Sequence, residues 1–268
     1  MDDLQLLVDL HLQADRQGPG GDAETHRAIE LSGLRNRHGL EIADIGCGTG
    51  ASTLVLAREL DAKIVAIDFL PEFLAVLEAR AIQAGVAERI TTVNASMDSL
   101  PVTAGTLDAI WSEGAIYNIG FEKGVQDWRR FLKPDGILAV SELTWLTNSR
   151  PAELELHWRS QYAEVDTASS KMAVLERNGY TPLGYFVLPE RCWLDAYYRP
   201  MQKRFAAFLK AHDASDSAKA VVAAEEREMD LYERYRRHVS YGYYIAQKTT
   251  TSCEADIQGD LRPVKSGH

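Results

Sequence analysis

The sequence predicts an α/β fold: a mostly parallel sheet with helices on both faces. Three observations predict it. The apolar start Leu40-Glu41-Ile42-Ala43 leads into Asp44-Ile45-Gly46-Cys47-Gly48-Thr49-Gly50 and then into Ala51-Ser52-Thr53-Leu54-Val55-Leu56-Ala57, which reads as strand, tight glycine turn, helix. A second apolar run, Lys63-Ile64-Val65-Ala66-Ile67, ends in Asp68, about 20 residues after the glycines. Short apolar runs then alternate with segments of helical spacing as far as residue 143.

Taken in order, residues 1–39 read as an N-terminal helical cap, with Leu4, Leu6, Leu7, Leu10 and Leu12 as its first apolar stripe. Arg16-Gln17-Gly18-Pro19-Gly20-Gly21 breaks that helix, and Asp22 is placed to cap a second one running to about Leu34. Strand one covers 40–45 and its helix 50–60; strand two covers 63–67. Pro71 suits a helix start, and Phe73, Leu74, Leu77 and Ala81 carry that helix to about Ala84. Ile90–Asn94 and Leu107–Ser112 are strands three and four. Phe121–Leu132 is a helix, Lys133-Pro134-Asp135-Gly136 a turn, and Ile137–Leu143 strand five. One or two helices follow over 151–178, the second packed on the sheet, with Asn178-Gly179 as its stop. Thr181–Leu188 is strand six, 190–238 is helical, and Tyr241–Lys248 is the last strand. The polar end, 249–268, predicts weak order.

Composition limits the function. The chain has 268 residues, 46% of them hydrophobic, enough for one large domain with a small helical addition. With 39 acidic against 29 basic residues the net charge is −10, which disfavours a nucleic-acid partner. Arg234, Arg236 and Arg237 alternate with acids, so the helix from Glu225 to Arg237 reads as a solvated face. No apolar run approaches the ~18 residues of a membrane span. Met1-Asp2-Asp3-Leu4 lacks a secretory pattern, which predicts a cytoplasmic protein. Cys47, Cys192 and Cys253 show no metal-ligand spacing, and no metal is expected.

The glycine spacing bears on the ligand. A dinucleotide site wants Gly-x-Gly-x-x-Gly with a pyrophosphate on the helix start. Here the glycines stand at 46, 48 and 50 with Asp44 before them; a carboxylate there repels pyrophosphate and suits an ammonium group. The segment Asp44–Gly50 resembles motif I of the class I S-adenosylmethionine-dependent methyltransferases. The resemblance spans roughly residues 40–145 and continues strand by strand to about 248, with Lys133–Gly136 similar to the family's turn before strand five. It implies a Rossmann-like seven-stranded sheet whose last strand lies antiparallel between strands five and six. It departs between the last two strands, where about 50 residues replace a short hairpin; with the cap, this insertion at about 190–238 is expected to form a lid.

The same resemblance implies that the loop (Asp44, Gly46, Cys47, Gly48, Gly50) wraps the methionine part of S-adenosylmethionine, that Asp68 holds its ribose and that Phe69 lines the adenine pocket. Ala95-Ser96-Met97-Asp98-Ser99-Leu100-Pro101 aligns with a segment whose aspartate commonly accepts from the adenine amino group; Ser96 stands in its place here, and Asp98 is the substitute. Three further segments, Arg16–Gly20, Trp111–Phe121 and Leu188-Pro189-Glu190-Arg191-Cys192-Trp193, resemble a bacterial subgroup of small-molecule methyltransferases without an assured substrate.

Gly18 lets the N-terminal segment fold over the cofactor, with Gln17 positioned for its carboxylate; a plain linker is the other reading. Glu113, Tyr117 and Asn118, after strand four, are candidates for accepting a proton from an acceptor and orienting it, while Glu113 and Gly114 can instead position cofactor backbone. Glu142 is either a second acid or a buried structural group. Trp158, Tyr162, Trp193, Tyr197 and Tyr198 supply aromatics to the lid or to the core, His157 and His212 are bases by type only, and His11 and His26 read as cap residues.

The expected activity is methyl transfer to a small molecule, with S-adenosylhomocysteine as product, by a monomer or homodimer. A nucleic-acid or protein methyltransferase, or a cofactor-binding protein without turnover, are the alternatives.

Overall fold

A strand covered on both faces needs apolar side chains on both, and Leu40–Ile45 (β1) meets that condition: every residue but Glu41 is buried. The computed structural model describes residues 3–249. Around β1 stand Ala62–Asp68 (β2) and Ile90–Asn94 (β3) on one side, and Leu107–Glu113 (β4) and Leu132–Trp145 (β5) on the other. Two-residue Asp166–Thr167 (β6) pairs with the end of β5. Tyr180–Val187 (β7) and Val239–Lys248 (β8) complete the order β3-β2-β1-β4-β5-β8-β7. β8 runs antiparallel to both β5 and β7, as the resemblance implied. β6 was not anticipated; two residues carry no periodicity to read.

The chain moves outward from β1 to β3, then returns to place β4 on the other side of β1. This is the point where strand order reverses, and the loops leaving the carboxyl ends of β1 and β4 open a crevice there.

Helices fill both faces. Pleating sends Ile42, Ile64, Ala66 and Trp111 to one face, and Ala43, Ile45, Ile67 and Ile110 to the other. The first face takes Asp22–Ser32 (α2), Ala51–Glu59 (α3) and Pro71–Gln83 (α4). The second takes Phe121–Trp128 (α5) and Ala168–Arg177 (α7), the latter capped by Thr167 as β6 ends. Ala152–Gln161 (α6) bridges β5 and β6, its Leu154 and Trp158 on the first face.

Three local expectations change. Asp22 is not the N-cap of α2: Gly21 holds that place, and Asp22, in the first turn, accepts from Arg16 at 3.1 Å. The helix after Phe121 ends at Trp128 and tightens into a 3-10 turn over Arg129–Phe131. Lys133–Gly136 is absorbed into β5 as an irregularity: Leu107 faces Leu132, whereas Ala109 already faces Ile137. Lys133 reaches across to Asp108 at 2.7 Å, which fixes the bulge.

The lid folds as short helices: Glu190–Trp193 (α8), a π-helical turn over Leu194–Tyr198, Arg199–Gln202 (α9), Phe205–Ala211 (α10) and the long Asp216–Tyr235 (α11). The N-terminal helix Asp3–His11 (α1) packs on α10 and α11, so cap and lid form one layer. Trp193 pins this layer to the sheet. It stacks on Tyr232 with ring centres 4.4 Å apart, meets Tyr241 edge-on at 5.1 Å, and donates its indole N–H to Ser240 Oγ at 2.9 Å. Of the aromatics assigned to lid or core, Trp158, Tyr162, Trp193 and Tyr198 are core. Residues 250–268, with Cys253 and all but the first residue of the expected tail, lie outside the described residues.

Truncating Trp193 to alanine is expected to cost about 3–5 kcal/mol, read as a lower urea midpoint with an unchanged slope.

Candidate functional site

The loop from β1 to α3 spends its own amides. Gly46 N and Cys47 N both donate to Ile67 O, at 2.8 and 3.1 Å. Gly48 N donates to Asp68 Oδ2 at 2.8 Å, Thr49 N to Gln17 Oε1 at 2.9 Å, and Gly50 N to Cys47 O at 2.9 Å. A phosphate-binding loop presents such groups unpaired to its anion. Five successive amides already satisfied disfavour a pyrophosphate and leave carbonyl oxygens, which suit a cationic group.

Two glycines are demanded by neighbours. At Gly48 (φ 55°) a Cβ would strike the Gln17 amide, and at Gly50 (φ 86°) it would strike Leu77 of α4. Gly50 is therefore a packing residue between α3 and α4 and is not on the cavity wall, contrary to the expected cofactor contact. Cys47 does line the cavity, but burial beside Asp44 and Asp68 pushes its thiol well above the ordinary range, which suits packing rather than reactivity.

Asp44 is also displaced from its expected role at the wall. It shares the α3 face of β1 with Ile42, so it is fully buried beneath the loop. Its Oδ2 accepts from Ser52 Oγ at 2.8 Å and Thr53 Oγ1 at 2.6 Å, while Oδ1 has no partner. Burial pushes its carboxyl up to about 7, against those two hydroxyls. Asp68 does face the cavity. Its oxygens accept from Gly48 N and, at 2.9 Å, from Leu70 N, and each keeps a lone pair for a ligand hydroxyl.

These groups open on a cavity of about 690 Å³, within the range of small-molecule sites. One half holds Gly46, Gly48, Asp68, Phe69, Ser96 and Met97. Phe69 is 65% exposed, an apolar ring facing open space. Ser96 Oγ accepts from Asp98 N at 3.3 Å, and Asp98, also lining the cavity, pairs with Lys123 at 3.1 Å. Gly18 lines the cavity with open space where a Cβ would stand. Gln17 lines it too, but its amide is committed to Thr49 and to Ala14 O rather than held out for a carboxylate.

Arg16, which the sequence reading passed over in favour of Gln17, is the only Arg or Lys lining the cavity among the described residues. Its Nη1 meets Glu113 Oε2 at 2.7 Å. Glu113 Oε1 accepts from Thr25 Oγ1 at 2.7 Å, Trp111 Nε1 at 3.0 Å and Tyr243 Oη at 3.1 Å. Three donors thus converge on Oε1 and Arg16 holds Oε2, so Glu113 clasps the N-terminal cap to the sheet. Gly114 N donates to Ser141 Oγ at 2.8 Å, which fixes the turn after β4. Tyr117 and Asn118 follow on a 3-10 turn and both line the cavity; Asn118 Nδ2 donates to Ala115 O at 2.9 Å.

Glu142 is 1% exposed and lies away from the cavity wall, with Lys171 Nζ 4.0 Å off and its Oε2 unpartnered. Burial outweighs their mutual attraction and pushes both toward the neutral form. Of its two readings the buried structural group fits, because its strand position turns it toward α7 and Lys171. His157 and His212 are not on the wall either; His212 pairs with Asp9 at 3.4 Å.

The other half of the cavity belongs to cap and lid: Leu4, Leu7 and His11 of α1, Tyr197 of the π turn, and Glu225 and Glu228 of α11. The two glutamates overturn the reading of this helix as a wholly solvated face. The signal was present: Val222, Met229 and Tyr232 are buried on one stripe, and Glu225 and Glu228 fall between them at helical spacing. Burial, then the charge of Glu225, pushes Glu228 up to about 7, opposed by the Tyr198 hydroxyl it accepts from at 2.8 Å.

Residues 42–136 match the family described as "Methyltransferase domain". The matched segment, about a third of the chain, has the pattern of a methyltransferase domain. The domain is similar to the ribosomal protein arginine N-methyltransferase rmt3 of Schizosaccharomyces pombe, 28% identical over 58% of this chain and 30% of that protein. It is 31% identical to erythromycin 3''-O-methyltransferase of Saccharopolyspora erythraea, over 47% and 41% of the two. The chain thus spans less than half the length of these relatives. In fold, a methyltransferase from Geobacter sulfurreducens, solved with S-adenosyl-L-homocysteine, superposes with a TM-score of 0.78 at 20% identity, covering 91% of this chain and 98% of that one. Among the described residues no group of three His, Cys, Asp or Glu could hold a metal ion, and no helix is long and apolar enough to cross a membrane.

Two outcomes are expected. Arg16→Met leaves the Glu113 charge buried without its cation, and urea denaturation should show a loss of about 3–5 kcal/mol. Asp44 titrates near ~3.9 when unfolded but at about 7 when folded. The native state then holds the extra proton, so the stability it contributes is full below about pH 4 and is lost as pH rises through about 7. Asp44→Asn should flatten the fall of unfolding free energy across that window by on the order of 2–4 kcal/mol.

Proposed function

We propose that this protein transfers the methyl group of S-adenosylmethionine to a small-molecule acceptor enclosed between the glycine loop and the helical layer of cap and lid. The observation that carries the reading is the continuity of one cavity from Asp68 and the loop to Tyr117 and Tyr197. When bound, the cofactor supplies a methyl group on a sulfonium centre.

The residues present fit that group. Asp68 has free lone pairs for the ribose diol, Phe69, Met97 and Ile67 offer apolar walls to the adenine, and the loop's carbonyls suit the ammonium. Arg16, the one guanidinium on the wall among the described residues, has N–H groups beyond those held by Glu113, Asp22 and Thr25 to offer the carboxylate. The buried Asp44, with Oδ1 unpartnered, lies beneath the loop, where a cation above it would favour its ionised form. Ser96 and Asp98 lie where the adenine amino group is expected, with Asp98 the weaker candidate because Lys123 holds it.

Catalysis then rests on alignment: Tyr117 and Asn118 orient the acceptor, and the covering layer excludes water. In this reading residues 40–248 form the catalytic domain, and residues 1–39 with 190–238 its acceptor-binding cover. A cavity rimmed by acids fits a small acceptor better than a nucleic acid, although the relatives' names point to a ribosomal protein in one case and to erythromycin in the other. Free, buried Cys47 and Cys192 suit a reducing, cytoplasmic setting, as a monomer or homodimer.

Calorimetry should register S-adenosylmethionine binding to the wild type, and Asp68→Ala should weaken it by roughly tenfold or more, since a buried polar partner worth about 1.5–3 kcal/mol is removed. No heat with the wild type would overturn the proposal.

A further inference from the structure

We infer that the acceptor is a small amine, entering as its ammonium form, with the nitrogen seated against Glu225 and Glu228 and the apolar body resting on Leu4, Leu7 and Val8. The inference rests on the methyltransferase reading and names the substrate class of that same cavity.

Glu225 and Glu228 are three residues apart on α11, so they lie side by side on one helix face, and both line the cavity. Neighbouring like charges on a helix repel. A structural pair of acids is normally answered by Lys or Arg, yet Arg16, the cavity's single Arg or Lys among the described residues, is already engaged by Glu113 and Asp22. The groups that do face the pair are neutral or weakly basic: Tyr198 from the π turn, Tyr117 from the turn after β4, Tyr197 stacked on His11, and His11 itself, whose Nε2 stands 3.9 Å from Glu225 Oε1. The site thus lacks one cation, and a ligand can bring it.

A second observation is independent of the acids. His11 lines the same cavity and is nine-tenths buried, yet its Nδ1 has no hydrogen-bond partner. A buried polar nitrogen left unpaired costs free energy unless something completes it. The rings of Tyr117 and Tyr197 add faces that attract an ammonium or methylammonium group. Leu7 is 38% exposed and lines the cavity, so an apolar substituent would cover leucine surface there.

The chemistry balances with these groups. The bound ammonium passes a proton to the Glu228 carboxylate, which frees the nitrogen lone pair. That pair forms the new nitrogen–carbon bond, the carbon–sulfur pair stays on sulfur as a neutral thioether, and the proton returns from Glu228 to solvent as the product leaves.

The test is calorimetry on the full chain saturated with S-adenosylhomocysteine, titrated with methylamine, 2-phenylethylamine, 2-phenylethanol and 3-phenylpropanoate. 2-Phenylethylamine is expected to bind at least roughly tenfold more tightly than its alcohol, with no heat from the carboxylate. Glu228→Gln and Glu225→Gln should each erase that preference while leaving S-adenosylhomocysteine affinity unchanged, which also certifies that the variants are folded. Equal binding of amine and alcohol, preference for the carboxylate, no binding of either amine, or full preference in both variants would overturn the inference and leave the methyltransferase reading standing. Failure of S-adenosylhomocysteine itself to bind would overturn that reading and the inference with it.

Discussion

One buried carboxylate organises the site. Glu113 ends β4 and receives donors from separate parts of the chain: Arg16 and Thr25 of the N-terminal cap, Trp111 of its own strand and Tyr243 of the last strand. Leaving such a charge unpaired away from water costs several kcal/mol, typically about 3–5 when one partner of a buried pair is lost. The Arg16–Gly21 break is thereby drawn down over the crevice at the strand reversal, and Gln17 reaches Thr49 of the glycine loop. The roof of the cavity is held by electrostatics at one point and by aromatic packing around Trp193 at another.

The glycine loop shows how a shared fold can be turned from one ligand class to another. Strand, glycine turn and helix are common to dinucleotide sites and to this one. What differs is where the amides point. Ile67 O, Asp68 and Gln17 consume the N–H groups that a phosphate would need. Asp68 beside the loop then offers acceptors matched to a hydroxyl-bearing ligand rather than to an anion.

Across the cavity the covering layer carries its own charge pattern. Glu225 and Glu228 sit on the inward stripe of an otherwise solvated helix, and among the described residues the covering layer offers them tyrosines and His11. The two halves are therefore built differently: the sheet side spends backbone and a few acids on a defined shape, and the lid side supplies aromatic and acidic side chains.

Much of this was legible before any coordinates. Short apolar runs ending at Ile45, Ile67, Ser112 and Lys248, alternating with segments of helical spacing, predict a mostly parallel sheet with helices on both faces, because a strand covered on both sides needs apolar residues on both; the strand order came from the resemblance. The glycine spacing and Asp68 determine a nucleotide-type crevice, because turn geometry and the strand-end acid are local. Tertiary structure alone decided the fate of individual side chains. Glu113 is a clasp because Arg16, 97 residues away in sequence, meets it; Asp44 and Gly50 support the loop because α3 and α4 close over them; Glu142 is sealed beside Lys171; and Glu228 became a cavity acid when α1 packed against α11. Sequence encodes which groups a strand or helix offers, but whether an offered carboxylate meets water, a guanidinium or an empty cavity depends on segments that are distant along the chain.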